Sequence, residues 1–325
     1  MNAAPQRPMT AREWGLLALL SVLWGGSFLF VGVAVKELPP LTLVTLRVGI
    51  AAAILWGSVP LLGPRPPRTL KAAAALIVLG FANNALPFSL IAWGQTHLPS
   101  GLASILNAAT PLFTVLAAHV LTKEEKLSDL KLVGTVAGLA GVAALLGPDL
   151  LTGAGANFWA ELAVLAAAFS YALAAIFARR MPSLGLRPID VAAGQSTAAA
   201  LMLAPLALTV DRPWTLPTPG AATIGCVLSI AAFSTALAYV VYFRILAGAG
   251  ATNVLLVTLL VPATSVGLGA LFLGERLTAR QFLGYGLIAF GLAFIDGRLP
   301  WMLADRLTQL SGAAVSRLPM RRNPR

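Results

Sequence analysis

Long apolar stretches alternate with short polar segments along the whole chain. Ten stretches are long enough to cross a bilayer as helices, because one span needs about 20 apolar residues. They occupy residues 13–35, 41–62, 72–93, 101–121, 130–147, 159–178, 188–209, 220–243, 252–273 and 280–297. The linking loops are too short to hold a separate soluble catalytic domain. The pattern predicts an all-α integral membrane protein with ten transmembrane helices.

Composition agrees with a membrane-embedded chain. Hydrophobic residues make up 58% of the sequence and charged residues 11%, against about 25% charged residues in soluble domains. The net charge of +11 raises the possibility of nucleic-acid binding, but most of this charge follows the predicted topology, so we expect a lipid bilayer and no nucleic acid as partner. The single cysteine, Cys226, lies inside a span. We therefore expect no disulfide, no metal site and no cofactor.

Basic residues collect on one side of the ten predicted spans. If the N-terminus is cytoplasmic, the far side receives only Lys36, Arg212, Arg276 and Arg280, and Arg47 lies within a span. The rest of the 23 lysines and arginines fall on the cytoplasmic side. This asymmetry is the positive-inside rule, and it predicts that both termini are cytoplasmic.

The second half of the chain repeats the first. LTKEEKLSDLKLVGTVAGLAGVA at 121–143 resembles FLGERLTARQFLGYGLIAFGLA at 272–293. Each repeat holds five spans, and since five is odd the second copy enters the membrane from the opposite side. The predicted divisions are a cytoplasmic N-terminus, the first repeat, a linker, the second repeat and a basic cytoplasmic tail, at 1–12, 13–147, 148–158, 159–297 and 298–325. Inverted repeats are the architecture of alternating-access transporters, whose substrate sites lie between the halves.

Two groups of motifs stand out in the sequence. The first is WGGSFLFVGVAVKELPPLTLVTLRVGIAAAIL at 24–55. The second is the pair of P…E-[KR]-L-[ST] blocks at 111–128 and 262–278. Together they resemble the tandem domains of the EamA family, within the drug/metabolite transporter superfamily. The resemblance implies a ten-helix inner-membrane carrier that exports amino acids or related metabolites. The tail beyond 298 has no counterpart in the resemblance.

Prolines inside three spans mark candidate helix breaks. They are Pro87, Pro111 and Pro262. Each removes a hydrogen bond to the carbonyl four residues earlier. Those carbonyls belong to Asn83, Asn107 and Thr258. Either a polar group repairs the freed carbonyl locally, or the broken helices line a cavity and contact substrate. We expect Asn107 to be the strongest substrate-binding candidate, followed by Asn83, Asn84 and Thr258.

Arg47 is the one basic residue deep inside a span. A charged side chain at mid-membrane costs roughly 2.5–3.5 kcal/mol on insertion scales, so Arg47 must face protein or water, or snorkel to the interface. Its planar guanidinium suits a substrate carboxylate. Aligning Pro40 with Pro188 in the repeat places Gln195 opposite Arg47. We predict that both contribute to the substrate site.

The remaining candidates are aromatic. Trp24 and Tyr239 sit deep in their spans and either pack internally or contact an apolar part of the substrate. Carboxylates, by contrast, lie in loops or at helix ends, and Glu161 is at most one turn inside a span. Because proton-driven pumps usually keep an acid near the midplane, we expect facilitated diffusion or exchange.

Competing classes lack their motifs. The chain has no phosphate loop, HExxH, CxxC or nucleophile elbow, so we expect no catalytic residues and no enzyme. Alternatives that stay open are an exporter of lipophilic drugs and, in another class, a membrane-embedded enzyme or receptor. The sequence thus predicts an inner-membrane carrier whose cavity is lined by helices 1–4 and 6–9 and braced by helices 5 and 10. Glycine faces on helices 5 and 10 either pack within the bundle or form a homodimer.

Overall fold

Ten long helices account for most of the chain that the structure describes, in a computed structural model covering residues 9–59, 69–122, 126–147, 155, 157–254 and 256–296. We number them α1 to α10. They are Ala11–Ala34, Pro40–Ser58, Leu70–Gly94, Ser100–Leu121, Asp129–Leu146, Phe158–Ala178, Pro188–Asp211, Ala221–Ala249, Val257–Leu273 and Ala279–Asp296. A short helical turn, Ala251–Val254, precedes α9. The predicted tail at 298–325, and most of the 1–12 segment and the 148–158 linker, lie outside the described residues.

Eight of these helices, α1 to α8, are long and apolar enough to cross a membrane. Helices α9 and α10 are shorter apolar helices. Large hydrophobic side chains and five tryptophans near helix ends are exposed on the bundle surface. These tryptophans are Trp14, Trp56, Trp93, Trp159 and Trp214. Exposed apolar side chains together with tryptophans near the ends are typical of a lipid-facing surface.

The helix starts follow local sequence signals. Thr10 caps α1 with a capping box, in which its hydroxyl accepts from the Glu13 amide and the Glu13 carboxylate accepts from the Thr10 amide at 2.8 Å. Helices α2 and α7 begin at Pro40 and Pro188, where the missing N–H of proline costs nothing. Arg47 and Gln195 are consequently each the eighth residue of their helices.

The helix contacts follow a two-fold pattern between the halves of the chain. Helix α1 packs on α9, and its counterpart α6 packs on α4. Helix α3 packs on α7, and its counterpart α8 packs on α2. Helix α1 also packs on α8, and its counterpart α6 packs on α3. The pairs α2 with α7 and α5 with α10 each join equivalent helices. The core therefore lies at the junction of the two repeats.

The glycines of α5 pack within this bundle. A Cβ on Gly134 would lie 2.5 Å from the Gly291 carbonyl oxygen of α10, and one on Gly141 would lie 2.7 Å from that of Gly284. Real Cβ atoms do not approach so closely, so only glycine allows the two backbones to meet here. Such small faces replace bulky side-chain packing where helices associate in lipid. Helices α5 and α10 thus form one tightly joined pair.

Candidate functional site

Arg47 lies buried where α2, α3 and α8 meet. Its side chain is 7% exposed. Its Nε donates to the hydroxyl of Thr235 on α8 at 3.0 Å, and its guanidinium carbon lies 3.6 Å from the ring centroid of Phe88 on α3. Tyr171 and Tyr239 are near enough to interact with it electrostatically. Arg47 therefore faces protein rather than lipid.

Asn83 and Asn84 connect α3 to the second repeat. Asn83 Nδ2 donates to Gln195 Oε1 at 3.2 Å and to the Tyr239 hydroxyl at 3.3 Å. The Tyr239 hydroxyl in turn donates to Asn84 Oδ1 at 3.1 Å, and Asn84 Nδ2 donates to the Ser196 hydroxyl at 3.3 Å. Five of the predicted residues thus form one group with residues from other helices. We call this group the central cluster: Arg47, Asn83, Asn84, Tyr171, Gln195, Ser196, Thr235 and Tyr239.

Helix α3 presents its two asparagines through a π-helical segment. Residues Phe81–Ala85 form this segment, and Pro87 follows it at the start of a regular α-helical part. Gly80, just before it, allows α3 to approach α7, because a Cβ there would lie 2.7 Å from the Gln195 carbonyl oxygen. One extra residue per turn shifts the side chains that follow, and such segments are frequent at functional sites.

Helix α8, the repeat counterpart of α3, has a π-helical segment as well. It spans Ile230–Leu237. The Thr235 hydroxyl donates to the Ile230 carbonyl at 3.0 Å while accepting from Arg47. The widened turn thereby fixes the oxygen that orients the guanidinium. The two equivalent helices, α3 and α8, thus each contribute to the central cluster from a π-helical segment.

Aromatic rings border the cluster. Phe88 and Tyr171 meet edge to face with their centroids 6.3 Å apart, and Tyr239 stacks on Phe243 at 6.2 Å. Such pairs hold the rings in fixed positions. The cluster therefore combines one cation, several amides and hydroxyls, and flat apolar walls.

Asn107, Thr258 and Trp24 lie on other helices of the bundle. Asn107 ends the first part of α4, Ser100–Asn107, and its carbonyl accepts from the Thr110 hydroxyl at 2.7 Å. This bond is local repair of the carbonyl that Pro111 leaves free. The Asn107 Oδ1 atom is buried without a hydrogen-bond partner among the described residues. Trp24 packs on Tyr242 with ring centroids 5.7 Å apart.

Pro262 and Thr258 belong to α9. This helix runs through Pro262 without interruption, from Val257 to Leu273. Thr258 lies in its first turn and is partly buried. The backbone is therefore interrupted at Pro111 but continuous at Pro262, although the two prolines match in the repeat.

Carboxylates join the two repeats at one end of the bundle. Asp211, which ends α7, accepts from the Thr42 amide at 2.7 Å at the start of α2. Glu275, before α10, accepts from the Ser100 and Gly101 amides at 2.8 and 3.0 Å at the start of α4. Glu37 accepts from the Gly220 amide at 2.7 Å, before α8. We call this the capped end, because each carboxylate satisfies free amides at a helix start of the other repeat.

Apolar side chains fill the space between the capped end and the central cluster. They come from α1, α2, α3, α7 and α8, and they include Val31, Leu43, Val44, Phe88, Leu203 and Ile230. All are less than a tenth exposed. A packed apolar core therefore separates the central cluster from the capped end.

Sequence reasoning did not select Thr235, Ser196 or Tyr171 as site residues. A signal existed for Thr235: Ser234 and Thr235 form a pair of adjacent polar residues in a mostly apolar span, as Asn83 and Asn84 do. Tyr171 aligns with Trp24 in the repeat but faces the central cluster, where it meets Phe88. Ser196 had no signal beyond its place next to Gln195. Among the described residues, no three His, Cys, Asp or Glu side chains come together to hold a metal ion.

Known proteins resemble the chain along nearly its whole length. The EamA-like transporter family matches it twice, at residues 13–147 and 158–296. A relative from Escherichia coli strain K12, called a probable amino-acid metabolite efflux pump, is 32% identical over 91% of this chain and 99% of that protein. A relative from Archaeoglobus fulgidus, called an uncharacterized transporter, is 24% identical over 87% of this chain and 98% of that protein. One solved crystal structure shares the fold, with a TM-score of 0.62 and 19% identity over 92% of this chain and 99% of that one.

The family matches and the names of the relatives identify the chain as a multi-pass membrane transporter. The two family matches cover most of the sequence and coincide with the two sets of five helices. The chain belongs to the EamA-like transporter family.

Proposed function

We propose that this protein exports amino acids or related small metabolites across the inner membrane by alternating access. The observation that carries the proposal is the central cluster, in which an arginine buried at the junction of two repeats faces residues from both halves. Transporters with inverted repeats bind substrate near the midplane between the halves. The efflux-pump name of the Escherichia coli relative supports the same class and direction.

The proposed topology has ten crossings, in two inverted five-helix repeats at 13–147 and 159–297. Helices α9 and α10 then cross as well, despite being shorter than the other eight. The bias of lysine and arginine supports a cytoplasmic position for both termini. In this orientation the capped end faces outward, and the packed apolar core separates the central cluster from the outside.

The proposed substrate site is the central cluster. Arg47 would hold a substrate carboxylate, since its guanidinium matches that group in geometry. Gln195, Asn83 and Asn84 would contribute polar contacts, and Tyr239 would border an apolar group. Asn107 on α4, Thr258 on α9 and Trp24 on α1 would contribute further substrate contacts.

Purified protein in liposomes tests the proposal. We expect saturable uptake of some members of a labelled amino-acid and metabolite panel with no imposed ion gradient. Lack of flux with and without a pH gradient, in vesicles that contain correctly folded protein, would contradict carrier activity for this class. Flux that needs the pH gradient would keep the carrier but overturn facilitated diffusion or exchange.

A further inference from the structure

Arg47 carries a buried charge that neutral side chains surround. Among the described residues it makes one side-chain hydrogen bond, to Thr235, and no ion pair. Its other neighbours are Phe88, Tyr171 and Tyr239. A buried charge is normally paired or coordinated, and the donors on the two terminal guanidinium nitrogens of Arg47 remain for a ligand.

Several hydrogen-bond acceptors in the central cluster already accept a bond from a neutral group of the protein. Gln195 Oε1 accepts from Asn83. Asn84 Oδ1 accepts from Tyr239 at 3.1 Å and from Asn83 at 3.4 Å. The Tyr239 oxygen accepts from Asn83 as well. An ammonium group is a pure donor, so at these oxygens it would compete with donors of the protein and would meet no negative charge, whereas a carboxylate would meet the unengaged donors of Arg47.

Charge balance leads to the same conclusion. A zwitterionic amino acid brings no net charge and would leave the charge of Arg47 uncompensated in a low-dielectric site. A ligand with a net charge of −1 cancels it. The Phe88 ring covers one face of the guanidinium, so a ligand must approach in the plane of the guanidinium, where a carboxylate can accept two parallel hydrogen bonds.

We propose that the central cluster prefers monocarboxylate anions whose amino group is absent or masked by acylation over the corresponding zwitterionic amino acids. The proposal rests on the function proposed above and narrows its substrate class. The aromatic side chains Tyr171 and Phe88 favour a carboxylate with an apolar substituent, because flat rings pack well against apolar groups.

Competition binding on the full-length purified protein tests the preference with four probes. Two of them, N-acetylphenylalanine and 3-phenylpropionate, are monoanions; phenylalanine is the zwitterion, and N-acetylphenylalanine amide is neutral. We expect both anions to bind at least tenfold more tightly than phenylalanine and the neutral amide. Equal or tighter binding of phenylalanine would overturn the proposal.

Three variants connect the preference to Arg47. Arg47→Gln should remove it, so that the anions lose at least tenfold in affinity while the neutral amide changes little. Arg47→Lys keeps the charge and should retain an anion preference, which covers the case in which the glutamine variant does not fold. Arg244→Gln removes an exposed charge from α8 and should bind as the parent does. An unchanged anion preference in Arg47→Gln would contradict the assignment.

The same vesicles separate this proposal from the proposed function. Flux of phenylalanine that exceeds flux of the two anions would leave the carrier standing and reject the anion preference. Lack of binding and flux for all probes, while other metabolites of the panel are transported, would also reject the preference. Lack of flux for every compound would reject carrier activity itself.

Discussion

The guanidinium carbon of Arg47 lies 3.6 Å from the ring centroid of Phe88, so an aromatic face covers one side of the buried cation. The two residues belong to different helices, α2 and α3, and Phe88 lies one turn beyond the π-helical segment that carries Asn84. The geometry of that segment therefore sets the position of the Phe88 ring against the Arg47 guanidinium.

Replacing Phe88 tests the contribution of its ring to substrate binding. A desolvated cation–π contact contributes about 0.5–2 kcal/mol, so Phe88→Leu should raise the apparent KM for a transported substrate by about 2- to 30-fold. Phe88→Tyr keeps the aromatic face and should stay near the parent value. Initial rates in liposomes measure both. Equal KM values for the leucine and tyrosine variants would show that the ring only fills space.

Thr235 should orient Arg47 through its hydroxyl. Thr235→Val keeps the shape of the side chain but removes the acceptor for Arg47 Nε, and a hydrogen bond to a charged group contributes about 1.5–3 kcal/mol. We expect Vmax/KM to fall about tenfold or more. Thr235→Ser keeps the hydroxyl and should restore most of the activity. If serine and valine lower transport equally, the hydroxyl does not orient the arginine.

Helix α10 offers a matched pair of glycines for a stability test. A Cβ on Gly291 would meet the Gly134 carbonyl and lie 2.7 Å from the Gly138 amide nitrogen, whereas one on Gly286 has no heavy atom within 4 Å. Overpacking typically costs about 1–3 kcal/mol, so Gly291→Ala should lower the Tm of the detergent-solubilised protein. Gly286→Ala should leave it unchanged or slightly higher. Equal Tm values for the two variants would show that the close packing of α5 and α10 at Gly291 does not contribute to the stability of the protein.

Glu275 should hold the capped end closed. A carboxylate at a helix start contributes about 0.3–1 kcal/mol, and up to about 2 kcal/mol when partly buried, so Glu275→Gln should shift the population toward an open state. Ala103, in the first turn of α4, is fully buried. In a Cys226→Ala background, a cysteine introduced by Ala103→Cys should react about 2- to 10-fold faster with a membrane-impermeant maleimide when Glu275 is replaced.

The control for this experiment is Asp129→Asn. Asp129 lies exposed in the first turn of α5. Because Asp129 is away from the cross-repeat bonds at the capped end, this variant should react at the parent rate. Identical labelling rates in the Glu275→Gln and Asp129→Asn proteins would show that the Glu275 contacts do not keep this end closed.

The sequence predicted much of the bundle because the length and polarity of a helix depend on residues that are neighbours in the sequence. Hydropathy located ten helical segments close to α1–α10, and the repeat alignment placed Arg47 opposite Gln195. The structure puts both at the same position of equivalent helices and includes both in the central cluster. Family membership followed from motifs that recur in both halves.

The side-chain partners were not predictable in the same way. Which face of a helix meets which neighbour depends on pairings between residues more than 100 positions apart, such as Arg47 with Thr235. The π-helical segment of α8 lacks a proline that would signal it. Hydropathy also could not predict which surface the α5 glycines contact, because a dimer face exposed to lipid and a face packed inside the bundle have the same composition.

The carboxylates of the capped end make the folding of each half of the chain dependent on the other half. Asp211 and Glu275 complete helix starts in the first half, and Glu37 completes one in the second. A half expressed alone would insert with these amides uncapped and with its glycine face exposed to lipid. Two halves produced as separate polypeptides should therefore accumulate only when they are made together, and a half exchanged for that of a distant relative should fail unless the matching carboxylates and glycines come with it.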